Sequence, residues 1–74
     1  MNAVDTFRAN VSRLLAQRGI TALAFARAIE NKSTAWASML LTGRRDTTMK
    51  TAEKVAAFFG VPLWRLLIYA AFPA

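Results

Sequence analysis

Seventy-four residues without cysteine or histidine make one small domain that must fold without disulfides or the usual zinc ligand sets. Apolar residues make up 55% of the chain, and ten Lys and Arg against four Asp and Glu leave a net charge of +6. That balance excludes a disordered polar chain. It also points to polyanionic partners, nucleic acid first and an anionic membrane second, unless the charge serves solubility alone.

Alanine and leucine outnumber the β-branched and aromatic residues, so helices are expected and strands are not. Val4, Phe7, Val11, Leu14 and Leu15 recur at three- and four-residue spacing, with Arg8, Ser12, Arg13 and Gln17 on the other side. This predicts an amphipathic first helix stopped by Gly19. Asp5, Arg8 and Asn10 interrupt what a signal peptide would keep apolar, so the cytoplasm is the expected compartment.

Thr21 caps a second predicted helix, "ALAFARAI", whose inward stripe is Phe25, Ala26 and Ile29. A turn at Glu30-Asn31-Lys32 leads to Ser33, a good cap for a third helix from Thr34 to about Leu41 that Gly43 ends. On a helical wheel Trp36, Ala37, Leu40 and Leu41 share one broad face. Thr34, Ala35 and Ser38 lie opposite, with Met39 at the flank.

A polar basic loop, "RRDTTMK", precedes a fourth helix capped by Thr48, with Ala52, Val55, Ala56 and Phe59 at helical spacing before Gly60. Pro62 opens a fifth, carrying Leu63, Trp64, Leu66, Leu67 and Ile68. The apolar run "LWRLLIYAAF" is ten residues long and contains Arg65, well short of the ~20 residues of a membrane-spanning helix. With no linker or repeat, residues 1–74 read as a single all-α bundle of five helices.

Two short helices, a tight turn, then a glycine and a basic loop make a helix-turn-helix pattern over about residues 21–42. The matching residues are Thr21, Phe25, Ala26 and Ile29, then Ser33, Ala37, Ser38, Leu40 and Gly43. They continue through Ala52-Glu53-Lys54-Val55-Ala56, Phe59-Gly60-Val61 and Leu66. In these the chain resembles the phage repressor and Cro-type helix-turn-helix family from about Val11 to Leu67. Two departures stand out. Ala22 occupies a position where the family often has glutamine, and Glu30-Asn31-Lys32 makes the turn one residue longer than usual. A second register keeps the short turn and places the extra residue before Gly43, making Trp36 and Met39 core residues and Ser38 less central. Ser33 as a cap and Leu40 three residues before Gly43 favour the first.

The resemblance implies a lambda-repressor-like five-helix fold that binds double-stranded DNA as a homodimer on a palindromic site and regulates transcription, as a repressor. It implies base reading by Thr34, Ala35, Ser38 and Met39, with phosphate contacts from Thr21, Lys32, Ser33, Arg44, Arg45, Thr47, Thr48 and Lys50. Short side chains offer single hydrogen bonds and methyl contacts but no bidentate base pairing, so DNA shape and the flanking arginines would share the discrimination. Subunit pairing falls to residues 62–72, where Leu63, Trp64, Leu67, Ile68, Tyr69 and Phe72 are more apolar than one thin core can use.

Other readings stand beside this one. Thr34 and Ser38 also suit an ordinary solvated helix face. Trp36 suits a core anchor better than a base-stacking platform, which needs several aromatics and a groove. An antitoxin-like regulator, or a protein-interaction module, would use the apolar C-terminal segment on a partner protein. Membrane-surface attachment lacks its basic stripe, since residues 63–72 hold only Arg65. An enzyme would have to work with Asp5, Glu30, Asp46 and Glu53, which fall on no common concave site. No cofactor, metal or small-molecule substrate is indicated.

Overall fold

A computed structural model describes residues 2–30, 33–43, 47–68 and 71–72, and among these the chain forms five helices and no strand. The helices begin and end where short-range chemistry dictates. In α1 (Ala3–Arg18) the Asn2 side-chain oxygen accepts from the Asp5 amide at 2.9 Å, and Gly19 closes the helix with φ 64°. Asn and Gly suit these ends because one satisfies an orphan amide and the other tolerates left-handed backbone.

The second helix, α2 (Ala22–Glu30), starts where the Ala24 amide donates to Thr21 Oγ1 at 3.1 Å. In α3 (Thr34–Thr42) the Trp36 amide donates to Ser33 Oγ at 3.4 Å, the cap expected of the first register. Thr48 caps α4 (Met49–Phe59) through the Thr51 amide, and Gly60 ends it with φ 70°. The last helix, α5 (Leu63–Leu66), is shorter than its apolar run suggests, because Leu67 and Ile68 leave it. The reason is Asn10, a buried side chain of α1 whose Nδ2 donates to the carbonyls of Leu66 at 2.8 Å and Ile68 at 3.0 Å. That amide supplies donors at the chain end that a further helical turn would otherwise supply.

Phe25 stands at the centre of the core. Its ring meets Trp36, Phe58 and Phe59 at centroid distances of 6.3, 5.8 and 6.1 Å, so one α2 side chain ties α3 to α4. Phe7, Val11, Leu14 and Leu15 of α1 complete the core with Leu40, Val55 and Leu66. Val4, expected in the α1 stripe, is exposed instead. Phe72, grouped by sequence with the surplus apolar tail, is 8% exposed and carries the Arg65 guanidinium over its ring at 4.9 Å. It belongs to the monomer's core, not to a pairing surface.

Gly43 ends α3 with φ 84°, and a Cβ there would stand 3.2 Å from Arg8 Nη1. Both the left-handed backbone and the guanidinium beneath it oppose any larger residue. Gly43→Ala is therefore expected to destabilise the domain by about 1–2 kcal/mol, against little change for an alanine on the open face of α3. Urea denaturation measures both, and equal midpoints would remove the constraint from Gly43.

Candidate nucleic-acid interface

Burial sorts the residues of α3 by face. Trp36, Ala37 and Leu40 are buried, Met39 and Leu41 are half-buried, and Thr34, Ala35, Ser38 and Thr42 are exposed. The outward face is thus short, uncharged and free of aromatics, and Trp36 is scaffold against Phe25. Thr42 Oγ1 donates to the Ser38 carbonyl at 2.7 Å, so Thr42 serves its own helix. The hydroxyl of Ser38 lies on the exposed side, where it can donate or accept one hydrogen bond.

Thr21 and Ser33 sit at the starts of α2 and α3, and both spend their hydroxyl oxygens as caps. What they can offer an anion is the helix end behind them, where the first N–H groups have no intrahelical acceptor. Thr48 is engaged in the same way, with its hydroxyl against Thr51 Oγ1 at 3.1 Å and the Thr51 amide at 3.1 Å. Thr47 departs from expectation. Its Oγ1 is buried with no hydrogen-bond partner among the described residues, so the hydroxyl is not at the surface to meet a phosphate. Lys50 is exposed at the start of α4. Lys32, Arg44, Arg45 and Tyr69 lie outside the described residues.

The positive charge is unevenly available. Arg18 sits over the Phe59 ring at 5.4 Å, Arg65 covers Phe72, and Arg8 donates through Nε to the Leu40 carbonyl at 3.0 Å. Arg8 is thereby partly buried, while Arg18 and Arg65 make these ring contacts from exposed positions, exposed like Arg13, Arg27, Lys50 and Lys54. Composition counts all of them alike, although Arg8 is engaged between α1 and α3.

The C-terminal segment shows a different surface. Trp64 is 62% exposed, and Leu67 and Ile68 are also exposed. Beside them an apolar groove runs between α1, α4 and α5, lined by Val4, Phe7, Met49, Ala52, Leu63 and Leu67. Periodicity missed Val4 and Met49 as part of this surface because it assigns a side chain to a helix face, not to the gap between two helices. No helix among the described residues is long and apolar enough to cross a membrane. The chain matches no protein-family model, no curated protein and no solved structure.

Proposed function

We propose that this chain is a sequence-specific double-stranded DNA-binding regulator of the helix-turn-helix type, a cytoplasmic repressor acting as a homodimer on a palindromic operator. The observation that carries this reading is the division of α3. Its inner face is held by Trp36, Ala37 and Leu40, while Thr34, Ala35 and Ser38 stand exposed just beyond the Ser33 cap, where a recognition helix meets base edges. The chain's +6 charge supplies attraction to the duplex. Trp64, Leu67, Ile68 and the groove beside them supply a pairing surface.

Affinity for mixed-sequence duplex DNA, measured against salt, tests the reading. With Lys32, Arg44, Arg45 and Lys50 as phosphate contacts, log affinity should fall with log salt by about 3–4 per subunit. A flat dependence, or no binding at low salt, would sink it and favour the second reading. In that reading, the exposed Trp64 and the apolar groove bind a partner protein, and the charge serves solubility.

A second measurement separates base reading from backbone contact. The double variant Thr34→Ala, Ser38→Ala is expected to select a different site from a random pool of duplexes, losing about tenfold for the parent's preferred site. Its salt slope should stay unchanged, since neither side chain is charged. Selection of the parent's site by the variant would remove this face of α3 from base reading.

A further inference from the structure

Arg8 belongs to no group assigned above to DNA or to subunit pairing, yet it holds the end of the helix that reads bases. Its Nε donates to the Leu40 carbonyl at 3.0 Å, and its Nη1 meets the Asp5 carboxylate at 3.3 Å. The same Nη1 lies 3.2 Å from where a Cβ on Gly43 would stand. The side chain is 15% exposed against 51% for Asp5, so the guanidinium is packed between α1 and α3 rather than offered to solvent. A helix C-terminus carries partial negative charge and carbonyls without intrahelical donors. A planar cation with donors in fixed directions suits such an end better than a flexible ammonium.

We propose that Arg8 is a positioning residue for DNA recognition. From α1 it fixes the last turn of α3 and the point where the chain leaves that helix for the basic loop, and so sets the tilt at which Thr34, Ala35 and Ser38 are presented. This role rests on the DNA-binding reading above. Among the described residues α3 is otherwise anchored by apolar side chains, Trp36, Ala37 and Leu40 with Leu41 at the edge, and apolar burial is non-directional. They fix how deep the helix sits but resist its rocking weakly. The Arg8 hydrogen bond is directional, and Asp5 orients the group that makes it. Base readout depends on hydrogen-bond geometry, whereas phosphate contacts carry no sequence information. Arg8 therefore governs discrimination between sites and not affinity for DNA in general.

Arg8→Met removes the charge and the donors but keeps an unbranched stem to fill the space. Arg8→Lys keeps the charge without the planar group. Each is compared with the parent on a mixed-sequence duplex across a salt series, and on the duplex that the parent selects from a random pool. The assays run below the melting temperature of each variant. Arg8→Met is expected to bind the mixed duplex within about twofold of the parent and with the same salt slope, because Arg8 makes no phosphate contact. Its preference for the selected duplex should fall about tenfold, as much as one mismatched base pair costs. Should Arg8→Met not fold, Arg8→Lys carries the test with an expected loss of about threefold. Unchanged preference in the folded variant overturns the proposal. So does a salt slope lowered by about one, which would make Arg8 a phosphate contact. A parent that binds no duplex at low salt fails the DNA reading itself and takes this role with it. A parent that binds, beside a variant that selects identically, sinks the role of Arg8 alone.

Discussion

Phe25→Ala is expected to lower the melting temperature by more than about 10 °C and to remove much of the domain's stability. Phe25 is fully buried, and its ring meets Trp36 of α3 and both Phe58 and Phe59 of α4. Truncating a core phenylalanine costs about 3–5 kcal/mol, part in lost transfer energy and part in the cavity left behind. A domain of this length is stable by only about 4–11 kcal/mol. With no cysteine to form a disulfide, nothing covalent offsets the loss. Phe25→Leu keeps most of the volume and should cost about 1–1.5 kcal/mol, leaving a cooperative melt. Near-ultraviolet circular dichroism with thermal melting distinguishes the two. A melt of Phe25→Ala within a few degrees of the parent would show that the aromatic cluster is not the centre of stability.

Much of this architecture is legible in the sequence because its determinants are local. Gly19, Gly43 and Gly60 end helices by adopting positive φ, and Ser33 and Thr48 start them by accepting the amide three residues on. Each acts within a turn of itself, so a single sequence reveals it. The inward stripes of α2, α3 and α4 follow from period alone, and so does the burial of Trp36.

What the sequence hides is the work of polar side chains across long separations. Arg8 reaches a carbonyl 32 positions away and Asn10 one 56 positions away, yet Arg8 reads locally as part of the polar side of α1 and Asn10 only as a break in an apolar run. Asn10 is nevertheless buried, and it shortens α5 by taking the carbonyls of Leu66 and Ile68. Phe72 is misplaced for a different reason, since composition cannot tell a ring turned back under Arg65 from one left for a partner. Thr47 adds a smaller case. Its hydroxyl type suits a phosphate, but the oxygen is buried. The exposed face of α3 depends on such polar side chains indirectly, because Arg8 donates to the Leu40 carbonyl near the end of that helix.

Asn10→Ala is expected to lower stability by about 2–4 kcal/mol, the sum of two lost hydrogen bonds and the desolvation of a buried carbonyl left without a donor. Asn10 is buried, and its Nδ2 is the donor that reaches both Leu66 and Ile68. Its loss frees the segment that holds Leu66 in the core and places Trp64, Leu67 and Ile68 on the surface. If that surface pairs two subunits, sedimentation should show Asn10→Ala shifted toward monomer at concentrations where the parent is a dimer. Asn10→Asp sharpens the test, because a carboxylate would face two carbonyl oxygens with no donor of its own. Burial and those oxygens disfavour the charged form and raise its pKa in the folded state. The sign follows from linkage. A carboxyl whose pKa rises on folding stabilises below its unfolded value of about 3.9, and the benefit is lost as pH climbs through the folded value. Asn10→Asp should therefore be less stable than Asn10→Ala at neutral pH and recover toward it in mild acid, where the protonated carboxyl can donate to one carbonyl. Denaturant midpoints at both pH values decide the matter. Equal midpoints for parent and Asn10→Ala would mean that the C-terminal segment is held by Leu66 and Phe72 packing alone.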